Sequence, residues 1–170
     1  MKITVPLTDG FLPARFTKHA DATDFLAGVP VRSFPITITE APTATQAFAL
    51  SLIDFDATPV CGFPWVHWLA ANLPATWLTI PETASREPKL AAQFIQGKNS
   101  NANAFAPRPT SVTTGYTGPQ PPDKAHAYTL TVYALDEQLQ LAPGFWLNDL
   151  RRALRGHVLA KTQLELPCQV

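Results

Sequence analysis

The sequence predicts a mainly β domain that carries a helix near its C-terminus. Three segments alternate with the two-residue period of a strand, at residues 45–56, 63–73 and 125–135. Seventeen prolines are scattered among the 170 residues, about twice the usual share of ~5%. Because proline removes a backbone donor and breaks helices, we expect no long helix over most of the chain. Strands joined by stiff, irregular loops are therefore expected.

The first strong strand is apolar along most of both faces. Phe48, Leu50 and Leu52 share one face with Asp54 and Asp56. The opposite face is also largely apolar, so both faces of this strand should be covered by other parts of the protein.

Polar groups also interrupt the apolar faces of the other two strong strands. His67 lies between Trp65 and Leu69 on one face of the second strand. His126 and Tyr128 open a face of the third strand. Weaker strands are expected at 2–7 and 34–39, where shorter runs of β-favouring residues occur.

Helical spacing is clear only near the end of the chain. Over 146–158 the apolar residues recur at intervals of three and four, which predicts a helix, although Gly156 could divide it into two. A shorter peripheral helix is expected at 87–96, ended by Gly97. No repeat or linker interrupts the chain, so we predict one domain over residues 1–170.

Charge and composition exclude several classes of function. Thirteen basic and thirteen acidic residues give a formal net charge of zero, unlike the basic surface of a nucleic-acid binder. No apolar run approaches the ~20 residues of a membrane span, and the N-terminus lacks the apolar run of a signal peptide. We expect a cytoplasmic protein. Cys61 and Cys168 match no zinc or CxxC spacing, which favours two reduced thiols.

The polar residues on the three strong strands form the first candidate site. Burying Asp54, Asp56, His67, His126 or Tyr128 without partners would be costly, several kcal/mol for an unpaired charge. If the strands are neighbours, these side chains could meet at one rim of the sheet and supply each other's partners. The alternative is that they act independently, as turn residues, a satisfied core histidine and a packing tyrosine.

A loop rich in glycine and proline precedes the third strand, at residues 115–123. Glycine lets backbone N–H groups approach a ligand, and proline holds a loop in one shape. Such a loop could supply anion-binding amides near Gly118, although loops of this composition more often only make turns.

Several motifs now combine into a family resemblance. The first conserved block of the phosphatidylethanolamine-binding protein family is similar to three runs in this chain: D-F-D-A-T-P at 54–59, W-V-H-W at 65–68 and N-L-P at 72–74. G-K-N-S at 97–100 resembles the G-x-N-D that follows this block in prokaryotic members. The second block is matched by G-P-Q-P-P at 118–122, His126, Tyr128 and V-Y-A-L-D at 132–136. G-H-V-L-A at 156–160 resembles the closing helix. The resemblance is to the prokaryotic, Raf kinase inhibitor-like branch.

The resemblance implies two packed antiparallel β-sheets, with a C-terminal helix and short peripheral helices. It also implies a small pocket that binds phosphate or a phospholipid headgroup, formed by Asp54, His67, His126 and Tyr128. Asp56 and Pro59 would lie beside it, with Gly118 on the adjoining loop. Family members are named for phospholipid binding, Raf kinase inhibition, flowering control and carboxypeptidase inhibition, and no common catalytic activity accompanies the fold. We therefore expect a non-enzymatic binding protein without a cofactor.

The chain departs from the family pattern at three places. Phe55 replaces the proline of D-P-D, and Thr58 displaces Pro59 by one position. Ala127 replaces the arginine of H-R-Y, and the chain ends in E-L-P-C-Q-V in place of the usual G-x-Y tail. The first two departures could reshape the pocket rim.

The expected mechanism is anion binding by hydrogen-bond donors. Imidazole N–H groups of His67 and His126, the Tyr128 hydroxyl and loop amides near Gly118 would donate to the anion. Asp54 would accept from a histidine or from the ligand, and its charge would favour a protonated histidine.

Three other functions stay open at this point. An Asp–His pair could act as general base in a hydrolase, although no nucleophile stands out. Asp54, Asp56, His67 and His126 could bind a metal ion. The domain could also regulate or inhibit a partner enzyme, such as a kinase or protease. The sequence does not identify such a protein partner, and it leaves open whether the chain forms a homodimer.

Overall fold

The fold is known from a computed structural model that describes residues 1–170. It contains ten strands and three short α-helices. The strands are β1 (Lys2–Thr4), β2 (Phe25–Leu26), β3 (Val29–Pro30), β4 (Ile36–Thr39), β5 (Ala47–Asp54), β6 (Trp65–Pro74), β7 (Thr79–Ile80), β8 (Ile95–Gln96), β9 (His126–Leu135) and β10 (Val158–Cys168). The helices are α1 (Thr58–Cys61), α2 (Pro88–Ala91) and α3 (Leu147–Ala153).

The strands form one large sheet, one smaller sheet and a short two-stranded ribbon. The large sheet has the order β10-β9-β5-β6-β8, the smaller sheet the order β1-β4-β7, and β2 pairs with β3. All pairings are antiparallel. The predicted class, mainly β with two packed antiparallel sheets, is confirmed.

A core of 23 buried residues fills the space between the two sheets. Leu50 and Leu52 of β5 meet Ile36 and Ile38 of β4 there. A second cluster of nine buried residues covers the opposite face of the large sheet, where Leu150 of α3 packs. Because both faces are covered, β5 is buried at every position but one, as its sequence predicts.

The C-terminal helix is shorter than its apolar spacing predicts. It ends at Ala153, and Gly156 follows with φ of 84°, a backbone conformation that favours glycine. The expectation of a closing helix at 156–160 is wrong, because Val158 begins β10. This strand pairs along β9 from Leu135 to His126, and the resulting ladder of backbone hydrogen bonds outweighs the local helical pattern.

The second predicted helix, at 87–96, is also only partly formed. Its helical part is Pro88–Ala91, and the segment then becomes β8, which pairs with Ala70 and Ala71 of β6. None of the helices has the length and apolar character needed to span a membrane.

Candidate functional site

The strand register brings the predicted polar residues to one end of the large sheet. Asp54, the last residue of β5, pairs with Tyr128 of β9 and with Trp65 of β6. A cavity of about 340 Å³ lies at this end of the sheet. Its wall includes Asp54, His67, Gly118, His126 and Tyr128, so five of the seven predicted ligand-binding residues converge.

His126 lies between two carboxylates. Its Nδ1 is 2.8 Å from Oδ2 of Asp54, and its Nε2 is 3.0 Å from Oδ1 of Asp123. Since both carboxylates accept hydrogen bonds, both ring nitrogens act as donors when the imidazole is protonated. Burial alone would lower the pKa of His126, but the hydrogen bonds and charges of Asp54 and Asp123 outweigh it and raise the pKa.

His67 has the opposite electrostatic character. Its Nδ1 donates to the backbone carbonyl of Thr117 at 2.8 Å, which fixes the ring orientation. Burial lowers the pKa of His67 to about 4, against smaller raising contributions from the Thr117 carbonyl and from Asp54. His67 is therefore neutral near pH 7, with its proton on Nδ1 and an unprotonated, accepting Nε2. This corrects the expectation that both imidazoles donate to an anion.

Tyr128 stands between the two histidines. Its ring meets the His67 ring edge to face, with centroids 5.0 Å apart, and its centroid is 6.4 Å from that of His126. Burial, and then the charge of Asp54, raises the pKa of Tyr128 well above its ordinary value. The side chain is therefore a neutral phenol that can donate or accept a hydrogen bond.

Asp56 and Pro59 do not line the cavity. The Asp56 carboxylate accepts a hydrogen bond from the backbone N–H of Ala127 at 2.9 Å and so joins the end of β5 to β9. Pro59 lies in the first turn of α1 and is exposed. Asp56 thus fixes the geometry of the rim, whereas Asp54 faces the cavity.

Gly118 lines the cavity for a reason different from the predicted one. Its N–H donates to the carbonyl of Pro30 at 2.8 Å, and the Thr117 N–H donates to the carbonyl of His67 at 3.0 Å. A Cβ atom at Gly118 would lie 2.5 Å from the carbonyl oxygen of Phe16. The glycine is required by this close backbone approach, and neither of these two amides is free for a ligand.

Asn101 and Arg108 line the wall as well, and no sequence motif identified either of them. The Asn101 side chain makes no hydrogen bond within the chain, although the residue is only 5% exposed and lines the cavity. Arg108 also lines the cavity and has no acidic partner. The G-K-N-S match stopped one residue before Asn101, and Arg108 lies in a stretch with no recognisable motif.

The matched motif explains how Asn101 reaches the cavity. The Asn99 amide donates to the carbonyls of Val112 and Gly115, each at 2.9 Å, and so closes the loop. The Ser100 hydroxyl accepts from the N–H of Val66 at 2.8 Å, which fastens this segment to the start of β6. Asn101 is consequently held against the strand that carries His67.

The geometry does not favour the metal alternative. No three His, Cys, Asp or Glu side chains are arranged to hold a metal ion, and the carboxylate of Asp56 is engaged at the backbone of β9. Cys61 is exposed and Cys168 is buried, and both are free thiols.

Comparisons with known proteins agree with this fold. Residues 3–169 match the sequence model of the phosphatidylethanolamine-binding protein family. An uncharacterized protein of Bacillus subtilis, YxkA, is 47% identical over 161 residues, covering 94% of this chain and 95% of the relative. A UPF0098 protein of Methanothermobacter thermautotrophicus is 30% identical over 155 residues, covering 91% of this chain and 88% of that protein.

Two solved structures have the same fold. One is a putative phosphatidylethanolamine-binding protein homologue of Chlamydia trachomatis, with a TM-score of 0.76 and 23% identity, covering 99% of this chain and 96% of the other. The other is YbcL of Escherichia coli, with a TM-score of 0.74 and 23% identity, covering 99% of this chain and 98% of the other.

Proposed function

This chain belongs to the phosphatidylethanolamine-binding protein family, and on that premise we propose that it is a non-enzymatic binding protein for small phosphoryl anions. The observation that carries the proposal is the cavity wall itself. Asp54, His67, His126 and Tyr128 converge there with Arg108, an arginine that no carboxylate neutralises.

The donors on this wall suit a phosphoryl group. The Arg108 guanidinium can bind two phosphate oxygens at once, with both charge and matching geometry. The Asn101 amide and the Tyr128 hydroxyl add neutral donors from the buried part of the wall. The Asn101 amide has no hydrogen-bond partner within the chain, so it is free to donate to a ligand in the cavity.

The acceptors on the same wall select a protonated anion. The unprotonated Nε2 of His67 and the carboxylate of Asp54 both repel a bare oxygen anion and accept from an O–H group. A phosphomonoester has a second pKa of about 6, so near neutral pH it exists partly as a monoanion with one O–H. The monoanion therefore fits this wall better than the dianion.

The same residues offer little for catalysis. No serine lines the cavity, and the Cys61 thiol on its wall donates to the carbonyls of Ala57 and Phe63. A histidine with a pKa of about 4 is a weak general base at neutral pH. We propose binding without turnover. A role as regulator or inhibitor of a partner enzyme stays a prediction.

Calorimetric titration tests the proposal with three probes: inorganic phosphate, glycerol 3-phosphate and sulfate, at pH 6 and pH 8. Phosphate and glycerol 3-phosphate should bind in the high micromolar to millimolar range, about 4–6 kcal/mol, and more tightly at pH 6. Sulfate has the same shape but carries no proton at either pH, so it should bind more weakly than phosphate at pH 6. No binding of either phosphate probe would overturn the proposal.

A variant pair locates the site. Arg108→Gln should weaken phosphate binding by about two- to fivefold, the size of an exposed ion pair. Arg155→Gln, a matched change at an exposed arginine without an acidic partner, should leave it unchanged. Equal affinity in both variants would place phosphate elsewhere. Incubation with 4-nitrophenyl phosphate should release no product above background, and turnover lost in His67→Asn would favour a hydrolase.

A further inference from the structure

A carboxylate of the chain itself, that of Asp123, already occupies Nε2 of His126. We propose that Asp123 is a built-in competitor, an intramolecular anion that an incoming phosphoryl group must displace from Nε2 of His126. This inference rests on the proposed function, because it concerns which anions that cavity admits.

The two carboxylates on His126 differ in how firmly they are held. The Asp54 side chain is 4% exposed, and its Oδ1 also accepts from the N–H of Ala57 at 3.1 Å. The Asp123 side chain is 52% exposed, and His126 is its only side-chain partner. The His126 side chain itself is 1% exposed. Asp123 is therefore the partner that can leave, and its departure would free the Nε2 donor for another acceptor.

The loop that carries Asp123 is short and exposed between the Lys18 anchors before it and the start of β9 after it. Lys18 donates from its backbone N–H to the carbonyl of Pro119 at 2.9 Å, and from Nζ to the carbonyl of Pro121 at 2.6 Å. The next three residues, 122–124, are exposed, and β9 begins at His126. Asp123 can swing outward without breaking either Lys18 anchor.

The charge balance explains why this matters for selectivity. Two carboxylates flank one imidazolium, so Asp54, His126 and Asp123 together carry one net negative charge while Asp123 is in place. An anion that offers only a charge gains little by exchanging with Asp123. An anion that also contacts Arg108 or Asn101 gains more than Asp123 loses. Asp123 thus determines specificity for ligands that fill the cavity.

Binding of inorganic phosphate at pH 6 to Asp123→Asn and Asp123→Ala tests the inference. Asparagine keeps an acceptor but loses the charge, and alanine loses both. Both variants should bind phosphate about two- to fivefold more tightly than wild type, the range of an exposed ion pair, with alanine at least equal to asparagine. Asp21→Asn is the control, because Asp21 is exposed and makes no side-chain hydrogen bond. Equal or weaker binding in the Asp123 variants would overturn the inference.

A second readout does not depend on a ligand. Histidine NMR titration of the free proteins should give a lower pKa for His126 in Asp123→Ala than in wild type, because one of its two negative neighbours is lost. An unchanged His126 pKa would refute the contact and, with it, the inference. If wild type and the Asp123 variants all fail to bind phosphate, the proposed function fails. If wild type binds and the variants bind no better, only the competitor role fails.

Discussion

The cavity has a histidine on its β6 wall and another on its β9 wall, and the two are in opposite electrostatic states. On the β6 wall, His67 is buried against a backbone carbonyl and stays neutral, with a pKa of about 4. On the β9 wall, His126 lies between two carboxylates that raise its pKa. The comparison teaches that a histidine in a binding motif is a donor or an acceptor according to its partner, and that the motif alone does not say which.

The largest expected effect is on the free energy of unfolding, through the pair of Asp54 and His126 on the β9 wall. Asp54→Asn removes the buried carboxylate that holds Nδ1 of His126, and breaking a buried pair in this way typically costs about 3–5 kcal/mol. Denaturant unfolding at pH 6 should give a loss at the lower end of this range, because Asp123 still partners the ring.

Asp56→Asn is the matched control for this change, two residues away. Its side-chain oxygen can still accept from the N–H of Ala127, so the loss should stay below about 1 kcal/mol. Equal losses in the two variants would show that the pair between Asp54 and His126 adds nothing beyond a neutral hydrogen bond.

The neutral state of His67 on the β6 wall should make the stability of the protein sensitive to acid. The unfolded chain protonates His67 near pH 6.5, whereas the folded chain does so only near pH 4. The unfolded state therefore binds more protons in this window, and stability falls by about 3 kcal/mol as the pH drops through it. Unfolding free energies measured from pH 7 to pH 4 would give this slope.

His67→Asn isolates that contribution, because asparagine can donate to the Thr117 carbonyl but does not titrate. Between pH 7 and pH 4 this variant should lose about 3 kcal/mol less of its unfolding free energy than wild type does, even if its stability at pH 7 is lower. His19→Asn changes an exposed histidine and should keep the wild-type dependence on pH. If His67→Asn lost as much stability as wild type between pH 7 and pH 4, His67 would already be protonated in the folded protein within this range.

The smallest effect is expected on the alkaline side. A histidine with a raised folded-state pKa contributes stability that is complete below pH 6.5 and is lost as the pH rises through the folded value. Together with His67, this places maximum stability near pH 6.5. Thermal melts from pH 6 to pH 9 should show a decline smaller than the acid slope, and His126→Gln should abolish it. Stability that rises steadily to pH 9 would contradict the charged state of His126.

Most of the large sheet could be predicted because alternation along β5, β6 and β9 directly reports the two faces of a strand. The same pattern marked Asp54, His67, His126 and Tyr128 as polar groups that need partners, but it left open whether they meet. Their assignment to one pocket came from the family resemblance. The error at 146–158 has a different origin. Apolar spacing there fits a helix, but beyond Ala153 the chain pairs with the free edge of β9, and local spacing contains no information about that edge.

The sequence by itself determined the sheet class, the family and the five residues that converge on the cavity. Only the tertiary structure decided that Asp54 faces the cavity and Asp56 does not, that Gly118 accommodates Phe16, and that Asn101 and Arg108 join the wall. It also decided the charge of each histidine. The physical reason is distance along the chain: His67 bonds a residue 50 positions away and His126 one 72 positions away, and only the assembled sheet and its adjoining loop bring those partners together.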